Sequence, residues 1–314
     1  MRRVAVTCIQ LIRDLDDYRP VFDEHEIELV VPTIHGQHLH GEELISALVG
    51  CVGVIAGDDQ LSRSVIASLP GLRVISKWGV GVDGIDHDAA QEHGVRVTNT
   101  PGEFDDEVAD ISMAYVIMLL RQLVVIDRGI RSGRWPKPAG TSLRGNTLGV
   151  VGLGGIGRAL AQRALAAGMT VVGNDPDAKS CRVAADLGVE VVTFRELLGA
   201  SLVVSINCPL NDATRNLFDS EAFASMRQGS FLVNTGRGAV VNSDDLVGAL
   251  ASGQIAGAAL DVMAEEPVPG GHALRGFEQV IFGSHNASNT IEASRRVHMR
   301  AIKNLLDSLE SESL

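Results

Sequence analysis

Short β-branched runs alternate with helical patterns along the whole chain, and one junction constrains the fold more than any other. The stretch TLGVVGLGGIGRALAQRALAAG (147–168) runs from a strand pattern through a glycine turn directly into a helix pattern. Gly152, Gly154 and Gly157 fill G-x-G-x-x-G. The first glycine permits a tight turn, the second lets the backbone approach a pyrophosphate, and the third lets helix and strand pack closely. The helix N-terminus then turns N–H groups and the positive end of its dipole toward phosphate, with Gly155 and Ile156 supplying the amides.

The next run, TVVGND, ends on Asp175 about 20 residues beyond the last glycine, where an acid is expected to accept the ribose hydroxyls of a dinucleotide. A 2′-phosphate at that position would meet like charge, and no arginine immediately follows to compensate. The expected cofactor is therefore NAD rather than NADP.

Strand-like runs precede the junction (RVAVT, IELVVP, GVIAG, LRVIS, VRVTNT) and follow it (TVVGND, EVV, LVVSIN, FLVNTG, IAGAALDV, QVIFGS). Alternation with helices predicts parallel sheets covered by helices. Twelve strands are too many for one compact doubly wound sheet, so two α/β domains with doubly wound parallel sheets are expected. Pro101 and Gly102 punctuate the chain before a long helical segment from about Asp105, and a second crossing falls near 285–290. The expected domains are 1–98 with 286–314, and 99–285. The segment IEASRRVHMRAIKNLLDSLES (291–311) reads as an amphipathic helix returning to the first domain, and the polar end SLESESL as a frayed terminus.

Composition narrows the function. A formal net charge of −12 disfavours nucleic acid or an anionic membrane as partner. The longest apolar region, ISMAYVIMLL, is too short to span a bilayer, and the first residues lack a signal-peptide core. Four widely spaced cysteines, Cys8, Cys51, Cys181 and Cys208, suggest free thiols and a cytoplasmic location. The histidines of HGQHLH (His35, His38, His40) read as a solvated loop, and no metal is expected.

Three segments end strands of the second half: NTGRG, DVMAEEP and GSHNAS. Ligands of open α/β sheets bind beyond the carboxyl ends of strands, so Arg237, Glu266 and His285 can act at one end of the sheet. A guanidinium in an apolar run, flanked by glycines, asks for an anion.

With KWGVGVDGIDHDAA, VTNTPG, SLRGNTLGVVGLGGIG, NCPLNDATRNL, NTGRGAVV, GAALDVMAEEP and SHNAS in order, the chain resembles the NAD-dependent D-2-hydroxyacid dehydrogenases, in their phosphoglycerate dehydrogenase-like branch, over nearly its whole length. The resemblance implies a Rossmann-type NAD domain inserted in a flavodoxin-like substrate domain, with the cofactor in the cleft. It implies hydride transfer between NAD(H) and a small-molecule 2-hydroxy or 2-keto acid, and a homodimer built through the helix after Pro101.

By the same resemblance Arg237 grips the substrate carboxylate and polarises the carbonyl, His285 exchanges the proton, and Glu266, second of the Glu265–Glu266 pair, holds the imidazole and favours its charged form. Asp261, Thr235 and Gly236 fall near the nicotinamide, Asn207 and Cys208 border the adenosine, and the amides around Val80 and Gly81 take the substrate carboxylate. Ala56 stands where phosphoglycerate-oxidising relatives carry an arginine, leaving Lys77 as the cation at the mouth of the site. Ser284 and Asn286 replace a usual proline and aliphatic residue beside His285. Related corepressors that sense NAD keep the same three residues, and formate and phosphite dehydrogenases share the fold. The absence of a long disordered tail or basic run argues against the first of these readings.

Overall fold

A computed structural model describes residues 1–311; the last part of the polar tail, 312–314, lies outside the described residues. The chain divides into two compact units, 1–103 with 290–314, and 104–289, each boundary a few residues beyond the expected one. The twelve strand patterns form twelve strands.

In the first unit β1 (Arg2–Val6), β2 (Ile27–Val30), β3 (Gly53–Ala56), β4 (Val74–Lys77) and β5 (Arg96–Thr98) make a five-stranded sheet of order β2-β1-β3-β4-β5. All its pairs are parallel, and β3 and β4 are buried on both faces. That is why they read as continuous apolar runs rather than alternating ones. The order is the flavodoxin-like one.

Ala5, Val54 and Ile75 pack with Leu44, Leu48, Val65 and Ile66 in the core of this unit. The terminal helix Ile291–Ser311 packs on β3, β4 and β5. Its apolar positions Val297, Ala301, Ile302, Leu305 and Leu309 recur at helical spacing and are buried. Burying each large aliphatic side chain of that stripe contributes about 1.5–3 kcal/mol. Ser76 Oγ donates to the Ala301 carbonyl at 2.8 Å. Ser308–Ser311, expected to fray, continue the helix.

In the second unit β6 (Thr147–Val151), β7 (Thr170–Asn174), β8 (Glu190–Val191), β9 (Val203–Ile206), β10 (Ser230–Asn234), β11 (Ile255–Leu260) and β12 (Val280–Phe282) form a parallel sheet of order β12-β11-β10-β9-β6-β7-β8. The chain leaves β6 toward one edge and returns beside it as β9, so the order reverses there. Ligand crevices open at such reversals, at the carboxyl ends of the strands.

The helices Asp105–Arg121 and Gly155–Ala166 supply Val116, Leu119, Leu160 and Ala164 to one core cluster, and Leu197, Phe223 and Leu246 belong to another. The first of these helices ends at Gln122 (φ 53°) and bends by 68° into Leu123–Arg131. Among the described residues no single helix is long and apolar enough to cross a membrane.

Candidate active site

The glycine turn between β6 and its helix is shaped as its sequence demands. Gly152 has φ 94°, the left-handed region where side chains are strained. A Cβ there would approach the Cys208 amide nitrogen to 2.6 Å, so the turn lies flush against the end of β9. A Cβ on Gly157 would run into the Gly152 carbonyl oxygen. At Gly154 a Cβ would meet nothing within 4 Å, which leaves the backbone open to a ligand. Gly154 caps the helix without a side-chain hydrogen bond, so the amides of Gly155 and Ile156 begin a helix whose first turn no side chain satisfies.

Asp175, just past β7, braces this turn. One carboxylate oxygen accepts from Leu153 N at 2.7 Å and the other from Asp177 N at 2.8 Å. Each oxygen retains a second lone pair for a ribose hydroxyl. An acid that sequence reasoning missed, Asp105, lies against Gly155. Burial pushes its carboxyl above the usual range, opposed by the charge of Arg158.

Past β9, Asn207 N donates to the Val151 carbonyl at 2.7 Å, which ties the end of β9 to that of β6. Cys208 is buried, and burial, with the Asp175 charge adding, pushes its thiol up to about 11. It is a wall residue, not a nucleophile. The open Gly154, the uncapped helix and the bracing acid fit a dinucleotide.

Beyond β10 the chain turns sharply through Thr235, Gly236 and Arg237. The buried Asn234 brackets the turn: its Oδ1 accepts from Gly236 N at 3.1 Å and its Nδ2 donates to the Arg237 carbonyl at 3.0 Å. Thr235 Oγ1 shares a 2.8 Å hydrogen bond with Ser112 Oγ. Arg237 is half-buried, with Nη1 donating to the Gly236 carbonyl at 3.0 Å. Gly238 packs backbone to backbone on Met263 and Ala264, where a Cβ would overlap both. Glycine here is an instrument of contact rather than of openness.

That contact joins the arginine turn to the loop carrying Glu266. Glu266 Oε1 accepts from Met263 N at 2.8 Å, and Oε2 meets His285 Nδ1 at 2.8 Å. Of the two adjacent glutamates, Glu266 is the one that engages the imidazole. The pairing fixes which ring nitrogen, Nδ1, faces the carboxylate.

His285 sits at φ 54°, a rare conformation for a non-glycine residue. Asp261 fastens the segment on both sides of it: the Asp261 carbonyl accepts from His285 N at 2.7 Å and its Oδ2 from Ala287 N at 3.0 Å. Asp261 Oδ1 accepts from Tyr115 OH at 3.2 Å, and burial with that neighbouring charge pushes the phenol well above its ordinary range. The partners Asn234, Ser112, Tyr115 and the Met263 amide carry no motif.

Val80, Gly81 and Lys77 belong to the other unit, at the carboxyl end of β4. Gly79 (φ 124°) exchanges hydrogen bonds with Thr100, its N–H donating to Oγ1 and its carbonyl accepting from Thr100 N, each at 3.0 Å. Asn99 Nδ2 donates to the Val80 carbonyl at 2.7 Å. Among the described residues the N–H groups of Val80 and Gly81 donate no hydrogen bond, which suits them to an anion. Lys77 was expected as the cation at the mouth of the site. It is buried, and its ammonium donates to the Trp78 carbonyl at 2.7 Å and to Asp58 at 3.1 Å, because the register that pairs Ala56 with Lys77 brings the loop after β3 over it.

His38 and His40 lie with ring centroids 6.0 Å apart. Among the described residues no group of three or more His, Cys, Asp or Glu could hold a metal ion.

The dinucleotide turn with its acid, and a paired histidine at the carboxyl ends of neighbouring strands, define the class of NAD-dependent oxidoreductases on a Rossmann fold. Residues 113–287 match the family described as D-isomer specific 2-hydroxyacid dehydrogenase, NAD binding domain. The chain belongs to that family. It is 38% identical over 260 residues to a glyoxylate reductase of Thermofilum pendens, covering 81% of this chain and 77% of the relative. It is 37% identical over 284 residues to D-3-phosphoglycerate dehydrogenase of Rattus norvegicus, covering 90% of this chain and 53% of that longer relative. The crystal structure of an NAD-dependent formate dehydrogenase from Staphylococcus aureus in complex with NAD superposes with a TM-score of 0.87 at 28% identity, covering all of this chain and 97% of that one.

Proposed function

We propose that this enzyme interconverts a small 2-keto acid with an uncharged side chain, of which glyoxylate is the type, and the corresponding D-2-hydroxy acid. The observation that carries the reading is the Glu266–His285 pair at 2.8 Å, with Glu266 pinned by Met263 N and Met263 in turn packed against the arginine turn. A proton carrier backed by a fixed carboxylate, linked to a guanidinium, is what reduction of a keto acid requires.

In this reading Arg237 orients the keto acid and polarises its carbonyl, and the Val80 and Gly81 amides receive the substrate carboxylate. His285 delivers its Nε2 proton to the carbonyl oxygen, and Glu266 stabilises the imidazolium before transfer. NAD, when bound, supplies or accepts the hydride. Reduction consumes one proton, and oxidation returns it to His285. Gly152, Gly154, Gly155, Ile156 and Gly157 hold the pyrophosphate, Asp175 the ribose, Asn207 and Cys208 flank the adenosine, and Thr235, Gly236 and Asp261 face the nicotinamide.

The substrate class follows from charge. The lysine beside the carboxylate-binding loop is consumed by Asp58, and Ala56 is part of the core. Neither offers a cation to a phosphate, so phosphorylated acids are disfavoured. The glyoxylate reductases among the relatives support the same choice.

A homodimer is supported by the exposed apolar residues Leu123, Ile130 and Trp135, and by a cavity of about 220 Å³ whose mixed lining includes Met118, Phe231 and Glu278. A cytoplasmic location is supported by four free cysteines, and the absence of nucleic-acid or membrane partners by the net charge of −12.

A panel of 2-keto acids with NADH, followed by loss of NADH absorbance, tests the reading. Turnover of glyoxylate well above that of 3-phosphohydroxypyruvate supports it. Oxidation of formate or phosphite with NAD, and no keto-acid reduction, would replace it with another donor. No turnover at all, with a tight protein partner recovered, would make the chain a sensor.

A further inference from the structure

A fully buried histidine stands outside the site just described. His298, on the terminal helix, is inaccessible to solvent, yet both ring nitrogens are engaged. Nδ1 accepts from Trp78 Nε1 at 2.8 Å, and Nε2 lies 3.2 Å from Asp14 Oδ2. The indole has only a donor, so the tautomer follows: Nδ1 is bare and Nε2 carries the proton toward Asp14. The Tyr18 ring meets the imidazole edge-on, with centroids 5.3 Å apart, and the indole lies 5.8 Å away.

Trp78 directly precedes Gly79, Val80 and Gly81. Its own backbone is fixed on both sides: its N–H donates to the Ala56 carbonyl at 2.9 Å and its carbonyl accepts from Lys77 Nζ at 2.7 Å. The indole is therefore the anchor from which the loop departs, and His298 is what the indole is tied to.

We propose that His298 is a positioning residue for the substrate: by accepting from Trp78 it sets the Gly79–Gly81 loop so that its amides face a carboxylate. This rests on the reading of that loop as the substrate-carboxylate site. It adds that substrate affinity depends on the protonation state of a group that never touches substrate. A proton on Nδ1 removes the acceptor and sets two N–H groups against each other, which releases the indole. Asp14 is the charged group that faces the ring, and Tyr18 packs against it; Asp17 and Arg295 act on Tyr18, and Lys77 holds the Trp78 carbonyl. Burial holds His298 neutral, its pKa lowered from the ordinary 6.5 against the opposing pull of Asp14.

The test is steady-state reduction of glyoxylate by NADH between pH 5 and 8, on the full chain and three variants. Trp78→Phe removes the donor and keeps a ring. His298→Leu removes the acceptor. His298→Asn retains an acceptor near the place of Nδ1 and cannot titrate.

Because burial lowers the pKa of the folded ring, the wild type is expected to hold its KM for glyoxylate through pH 6.5 and to show a rising KM only toward the acid end of the range, with the dissociation constant for NADH unchanged. Trp78→Phe and His298→Leu should raise that KM about tenfold at pH 7.5, the effect of one buried hydrogen bond, with a smaller change in kcat. His298→Asn should restore the KM and make it flat with pH.

Fluorescence of Trp78 in a Trp135→Phe background reports the histidine without substrate. A fluorescence transition on acidification with no accompanying change in KM would overturn the positioning role while leaving the dehydrogenase reading intact. An Asn variant as impaired as the Leu variant would also overturn it. Absence of keto-acid turnover by the wild type at every pH would remove the reading of the loop, and this proposal with it.

Discussion

Replacing Gly238 with alanine tests whether the arginine turn and the glutamate loop are one rigid unit. Gly238 is not among the glycines with positive φ, so alanine meets no backbone penalty and the whole effect is steric. The added methyl would overlap the Met263 carbonyl carbon and oxygen and the Ala264 nitrogen, all backbone atoms that no rotamer change can move aside. Ordinary contact between carbon atoms lies near 3.5–4.0 Å, so the turn and the loop must separate by more than about 1 Å. A shift of that size in a positioned catalytic group lowers rate by about 100-fold. Overpacking of this kind also costs about 1–3 kcal/mol of stability, a fall in Tm of roughly 3–10 °C.

The dinucleotide turn at the ends of β6, β7 and β9 does not touch Gly238, so the dissociation constant for NADH should stay within about threefold of the wild type. The assay is kcat/KM for glyoxylate beside fluorescence titration with NADH and a thermal melt. A folded Gly238→Ala enzyme with kcat/KM within threefold of the wild type would refute the argument that this contact aligns Arg237 with Glu266 and His285.

Glu266→Gln keeps an oxygen for Met263 N but loses the charge facing His285; kcat for reduction should drop about 10- to 100-fold, with little change in urea midpoint. Asp175→Ser should weaken NAD binding about tenfold or more and reduce the preference over NADP, read as the ratio of kcat/KM for the two cofactors, because hydrogen bonds to a charged acceptor contribute about 1.5–3 kcal/mol. His298 binds its proton less readily when folded than when unfolded, so the unfolded chain takes up more protons as pH falls through about 6.5. Stability is therefore expected to be fully present above that pH and to decline below it, and urea unfolding of His298→Asn at pH 7.5 and 5.5 should lack that part of the decline.

Much of this was legible in the residues. The central strands were, because parallel strands buried on both faces, such as β3 and β9, must be apolar whatever their neighbours; the more exposed edge strands β5 and β8 were legible only as short runs between helical patterns. The roles of Gly152, Gly154 and Gly157 were legible because each answers a local geometric demand: a positive φ, open space, and a backbone within contact. Arg237, Glu266 and His285 stood out by resemblance and by their place at strand ends. The burial of Lys77 and its pairing with Asp58 were not legible, because nothing in VISKWG announces that an acid from another strand's loop will reach it. Asn234, Tyr115 and the Met263 and Ala287 amides were invisible, since backbone donors have no letter and lone polar side chains no pattern.

The sequence by itself determined which segments are strands, where the glycine turn lies, and that an acid follows it at the end of the next strand. Those features obey rules whose reach is a few residues: side-chain period, glycine dihedrals, helix dipole. Only the tertiary structure decided the strand order of each sheet, that Gly238 lies on Met263, that Glu266 rather than Glu265 holds His285, and that His298 reaches back to Trp78 and Asp14. Such pairings form between groups far apart in the chain. Their energy exists only once packing has excluded water and left each buried polar group to find its partner.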